Sequence, residues 1–248
     1  MNNFKSWKSF RDFKKMVIKE FRYIRDESMS DFLDTLIKTS ESRVCIIERG
    51  TPLYRAQLGH DWQPYEFSSD FTDNIPAPFS TERMKPLLEE AKEGRANPKG
   101  IPYLYLATDE ATAIGEVRPW VGSHVSVGVF IVQDTLKVID FSEEDHKLKI
   151  YIGEPTDEQK EVQVWADVGA SFSKPITNSD SKAEYAPTQI IAELFKSLGY
   201  KGIIFNSSLG NGKNIVLFNI NDALQKTGHL FHVKNFSLNS KKSVILTM

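Results

Sequence analysis

The chain has 248 residues, 40% hydrophobic and 26% charged, with a formal net charge of −2 and a pI near 6.2, the make-up of a globular protein with one sizeable core. That balance argues against a general nucleic-acid or membrane binder, which would show a basic excess, but leaves room for a small anionic ligand held by a local cluster. Cys45 is the only cysteine, so there is no intrachain disulfide and no cysteine-based zinc site; a reducing, cytoplasmic setting is expected.

Residues 1–25 interleave Lys and Arg with aromatics rather than carrying the apolar core of a secretory leader. Phe4, Trp7, Phe10, Phe13, Val17, Phe21 and Ile24 recur every three or four residues, which predicts an amphipathic helix with a basic outer face. Such a helix can grip a membrane or a partner, but packing its aromatic side on the domain is the simpler reading. A second helix is predicted at "SDFLDTLIKTS". The run Val44–Ile47 and the segment "PLYRAQ" follow as strands separated by the turn "RGT".

Residues 58–102 lack regular periodicity and carry six prolines. A segment this long and irregular points to function. Within it "TERMKPLLEEAKEG" reads as one short helix. Alternation resumes with strand "YLYLA", helix "DEATAIGEV" with Asp109 as N-cap, and strands "HVSVGVFIV" and "LKVIDF". Residues 142–187 read as an insertion with its own helix around "DEQKEVQVWADVGASF". The helix "TQIIAELFKSLGY", stopped at Gly199, and the strands "GIIFNSS" and "NIVLFN" complete the pattern.

Strands clustered in twos and threes between isolated helices predict an α+β fold rather than repeating βαβ units. The expected division is an N-terminal helical extension (1–43), a main domain (44–222, with the insertion at about 142–187) and a C-terminal strand extension (223–248).

Several familiar sites are absent. "SLGNGKN" lacks the spacing of a phosphate loop and the Ser/Thr after Lys213, and no GxGxxG or GxSxG occurs. His229 and His232, three apart in an expected strand, point to opposite faces and make a poor metal clamp, so no metal site is expected. What remains is a set of polar residues embedded in apolar strands or at their ends: Arg55 in "LYRA", Tyr105 in "YLYLA", Glu116 in "AIGEV" and Ser207 in "IFNSS". Singly, each is also explained as an ion-pair partner, a half-buried aromatic, a solvated helix residue or a turn former.

Taken in order, "LYRA", "GRANPKGIPYLYLATDEATAIGE" and "YKGIIFNSSLGNGKNIVLF" resemble the RES domain, the toxin of RES–Xre toxin–antitoxin pairs, over roughly residues 50–220. The resemblance implies an ADP-ribosyltransferase-like core: a mixed, largely antiparallel sheet with flanking helices. It implies NAD+ as substrate rather than cofactor, cleaved at the nicotinamide–ribose bond by hydrolysis or phosphorolysis, and an antitoxin protein that covers the site. Position by position it points to Arg55, Tyr105, Glu116 and Ser207, with Ser208 next door to the last. Transfer of ADP-ribose to a macromolecule, or a non-catalytic NAD- or partner-binding module, are the alternatives.

The chemistry suits these residue types. Nicotinamide leaves a cationic pyridinium as a neutral molecule, so no strong acid is needed; the developing oxocarbenium charge on the ribose needs one nearby carboxylate, here Glu116. The pyrophosphate of NAD+ needs forked cations, with Arg55 first and Arg95 and Arg118 as helpers. Tyr105 is expected to stack on the nicotinamide ring, and Ser207 to hydrogen-bond its amide or the ribose.

Overall fold

The computed structural model describes residues 3–88, 90–142, 153–174 and 182–235. In chain order its elements are α1 (Ser9–Lys19), α2 (Glu27–Thr39), β1 (Val44–Ile47), β2 (Pro52–Leu58), β3 (Asp61–Ser68), β4 (Phe71–Ala77), α3 (Thr81–Met84), β5 (Leu104–Ala107) and α4 (Glu110–Glu116). They continue with β6 (His124–Val132), β7 (Leu136–Asp140), α5 (Asp157–Ser173), α6 (Ala186–Ser197), β8 (Gly202–Asn206), β9 (Lys213–Leu217) and β10 (Ala223–His232).

Strands β8 and β9 read GIIFN and KNIVL, apolar on successive residues, as strands covered on both faces must be. They lie inside an eight-stranded sheet of order β1-β7-β8-β9-β5-β2-β6-β10. Only β7 and β8 run parallel; every other neighbouring pair is antiparallel. On one face Ile203, Phe205 and Val216 meet Trp165, Val168 and Phe172 of α5, Ile191 and Phe195 of α6, and aromatics of α1 and α2. On the other, Ile204, Ile215 and Leu217 join Leu53, Phe130 and Met84. The fold is thus α+β, as the strand and helix pattern predicts, with the largely antiparallel sheet and flanking helices that the family resemblance implies.

Several local expectations change. Helix α1 stops at Lys19, so Phe21 and Ile24 do not extend its buried stripe; they are 51% and 79% exposed, whereas Phe10, Phe13 and Val17 are buried. The helix expected over "TERMKPLLEEAKEG" shrinks to Thr81–Met84, because Pro86 disfavours helical backbone at Lys85, which is extended (ψ 153). Within 58–102, β3 and β4 form a separate antiparallel hairpin. Helix α5, expected in an insertion, has Val164, Trp165, Val168 and Phe172 fully buried in the core that also holds α1 and α2. Each such large side chain contributes about 1.5–3 kcal/mol on burial, so these segments are structural members of the core. Strand β10 is the sheet's edge, paired with β6; the remainder of the expected C-terminal extension, 236–248, lies outside the described residues.

The sheet has one weak seam. β2 pairs with β6 at seven positions and β5 with β9 at four, but β2 and β5 share the single pair Tyr54–Ala107. Where the two strands part, a cleft opens.

Candidate active site

Side chains converge at this seam. A cavity of about 300 Å³ is walled by Tyr54, Arg55 and Ala56 from β2, Tyr105, Leu106 and Ala107 from β5, Ala113 and Glu116 from α4, Phe205 and Asn214 from β8 and β9, Gly94 and Arg95 from a loop, and Tyr185 from the short 3-10 turn before α6.

Arg55 bridges the gap in the ladder. Its Nη1 donates to the Tyr105 carbonyl at 3.2 Å, an acceptor left free where β5 leaves β2, while its buried Nε has no hydrogen-bond partner. Burial pulls its pKa down to about 10, against a smaller opposing effect of Tyr105, so at neutral pH it remains a cation. A buried cation lining a cavity favours an anion there.

Glu116 is delivered by α4, whose start is firmly fixed. The Asp109 side chain caps it by accepting from the Thr112 N–H at 2.8 Å. Thr112 Oγ1 in turn accepts from the Gly212 N–H, and Thr108 Oγ1 from the Lys213 N–H, both at 3.0 Å. Gly115 lets the helix press on the 207–212 loop: a Cβ there would lie 2.6 Å from the Leu209 carbonyl oxygen. Arg118, one residue beyond the helix C-cap, sits at φ +47°, the left-handed conformation that glycine adopts most readily.

The carboxylate of Glu116 is clamped on one oxygen. Ser207 Oγ and Asn214 Nδ2 each donate to Oε1 at 2.7 Å, while Ser207 Oγ also accepts from the Leu209 N–H at 3.1 Å. The serine hydroxyl is therefore spent on holding the glutamate. Both donors bind one oxygen, which orients the carboxylate and leaves Oε2 free of protein donors among the described residues. A half-buried carboxylate fixed this way can stabilise a cation formed in the cavity.

Tyr105 presents its ring to the cavity, but its hydroxyl is committed to the loop before it. It accepts from the Ala96 N–H at 3.0 Å and donates to Asn97 Oδ1 at 2.7 Å, and burial raises its pKa well above the usual phenol value. Arg95 lines the cavity but donates through Nη1 to the carbonyls of Phe172 and Ser173 at 2.9 and 3.4 Å, steadying the negative end of α5.

Of the sequence-predicted residues, Arg55, Arg95, Tyr105 and Glu116 share the cavity, and Ser207 joins them through Glu116. Ser208 and Arg118 are exposed and outside the lining. Lys213 turns to the other face and pairs with buried Asp140 at 3.0 Å. Asn214 was not anticipated; its signal is a polar residue two positions before Val216, on the same inward face of the strand. Among the described residues no cluster of His, Cys, Asp and Glu forms a metal site, and no helix is long and apolar enough to cross a membrane.

Among curated proteins none matches the chain. Among solved structures it is similar to a chain of the M. tuberculosis MbcT–MbcA toxin–antitoxin complex, at 15% identity and a TM-score of 0.42, over 79% of this chain and 92% of the other. The model of the RES domain matches residues 52–233, most of the sequence and every residue of the cavity wall, and the chain belongs to the RES domain family.

Proposed function

We propose that the protein is a toxin-type enzyme that consumes NAD+ by cleaving the nicotinamide–ribose bond, with water or phosphate as acceptor. The observation that carries this reading is the clamped carboxylate of Glu116 in the same small cavity as the buried guanidinium of Arg55.

On this reading Arg55 holds a phosphate of the substrate, and the rings of Tyr105 and Phe205 flank the nicotinamide. As the C1′–N bond breaks, its electron pair passes to the pyridinium nitrogen and neutral nicotinamide leaves. The positive charge on the ribose faces Glu116, whose free oxygen stabilises it and accepts from the 2′-hydroxyl. Water or phosphate then bonds to C1′; with water, the released proton passes to solvent. Ser207 acts through Glu116 as a positioning residue, not as a nucleophile. Family resemblance extends the reading to an antitoxin protein that closes the cleft.

Incubation with NAD+, with and without phosphate, followed by mass spectrometry tests it. Free nicotinamide with ADP-ribose, or with its 1″-phosphate, is expected, and Glu116→Gln should slow release at least about 100-fold, the cost of losing one preorganised electrostatic partner. Intact NAD+, or ADP-ribose fixed on a macromolecule, overturns it.

A further inference from the structure

The cavity is small for a dinucleotide. At about 300 Å³ it sits at the bottom of the roughly 300–1,000 Å³ range of small-molecule sites. NAD+ is about twice the size of its nicotinamide mononucleotide half, and the walled volume matches one half. The half that must enter is the one that carries the scissile bond.

The charge inventory agrees. Among the described residues only Arg55 and Arg95 bring positive charge to the wall, and Arg95 is engaged with the end of α5. Arg55 spends only one Nη on a carbonyl, which leaves its fork for one phosphate. The remaining wall is apolar or aromatic, apart from the Glu116–Asn214 pair that faces the ribose.

We infer that recognition stops at the nicotinamide ribose 5-phosphate unit, so that the protein cleaves pyridinium ribose monophosphates such as nicotinamide mononucleotide as well as NAD+ and is indifferent to the base at the far end. The inference rests on the reading of the cavity given above. The step balances as for the dinucleotide: the C1′–N pair leaves with nicotinamide, a water oxygen bonds to C1′, one proton goes to solvent, and ribose 5-phosphate remains. With phosphate as acceptor the product is ribose 1,5-bisphosphate.

The test measures nicotinamide release by the full chain from four substrates: NAD+, its analogue with hypoxanthine in place of adenine, nicotinamide mononucleotide and nicotinamide riboside. The first three are expected within about tenfold of one another in kcat/KM. The riboside, which lacks the phosphate, is expected at least about thirtyfold below the mononucleotide, the worth of a charge-assisted hydrogen bond. That ratio should collapse in Arg55→Ala, which assigns the phosphate to this side chain. A mononucleotide or hypoxanthine value more than tenfold below NAD+ overturns the inference.

Binding of NAD+ and of the mononucleotide to Glu116→Gln, measured by calorimetry, separates the two ideas. Equal binding without cleavage by the wild-type protein keeps the half-site and removes the cleavage reading. Cleavage of NAD+ with the mononucleotide neither bound nor cut does the reverse.

Discussion

Replacing Asn214 by alanine removes one of the two donors that fix Glu116 while leaving the carboxylate, Arg55 and the rest of the cavity wall in place. The bond is 2.7 Å long, from a buried amide to a carboxylate, a class worth about 1.5–3 kcal/mol. At about 1.36 kcal/mol per tenfold in rate, that predicts a fall in kcat of roughly 10- to 150-fold. Because the carboxylate acts on charge that develops in the transition state, KM should move by less than about threefold. The assay is steady-state nicotinamide release, with thermal unfolding as a control for folding. A positioning role also requires that the effect pass through Glu116: in Glu116→Gln, where the anion is gone, adding Asn214→Ala should cost less than about threefold further. Wild-type kcat in Asn214→Ala, or an equal loss in both backgrounds, refutes the clamp.

Gly115→Ala places a Cβ 2.6 Å from the Leu209 carbonyl and should push α4 off the 207–212 loop, lowering stability by about 1–3 kcal/mol and kcat with it; an unchanged denaturation midpoint contradicts the close approach. Arg118→Gly relieves a left-handed φ of +47° at an exposed site and should raise stability by about 0.5–1 kcal/mol in denaturant titration, with activity intact; a loss of activity would place Arg118 in the site after all. The lowered pKa of Arg55, about 10, means that the folded protein gives up this proton before the unfolded chain does, so between that value and the ordinary arginine range the folded state gains stability as pH rises. Anion binding runs the other way: affinity for ribose 5-phosphate, by calorimetry, should hold below about pH 9 and fall as pH passes 10, and a flat profile through that window speaks against Arg55 as the phosphate partner.

Much of the site was legible because its chemistry interrupts a pattern. Arg55 and Tyr105 stand out as polar groups in apolar strands, and Glu116 as a charge behind a run of small residues. The partners were harder to see. Ser207 and Glu116 are 91 residues apart and meet only because the 207–212 loop folds over α4, a contact no local periodicity encodes. Asn214 stands at the head of an apolar run, where asparagine is equally at home as a turn residue. Arg95 looked like a free cation beside the site, but its partners are the last carbonyls of a helix some eighty residues away. At the N-terminus the three-to-four spacing continued past Lys19 although the helix did not: periodicity reports which residues would share a face, not where the backbone stops obeying it. The same limit applies to α5, whose polar flanks suggested an insertion although Trp165 and Phe172 are wholly buried.

The seam in the sheet ties structure to chemistry. A continuous ladder satisfies its own donors and acceptors and offers a ligand no concavity. Here the ladder between β2 and β5 fails after one pair, and the Tyr105 carbonyl it abandons is taken up by the Arg55 guanidinium. The same side chain thus repairs the backbone defect that opens the cleft and carries the positive charge exposed within it. An arginine can serve both ends because its fork offers several donors in one plane, so one can be used on the carbonyl while the charge still faces the cleft. A lysine has a single charged nitrogen to divide between them. The position therefore suits arginine for two separate reasons, and the carboxylate of Glu116 is held from the other side of the gap by residues of β9 and the loop before it. The cleft is where two halves of one sheet part, and Arg55 and Glu116 both line it.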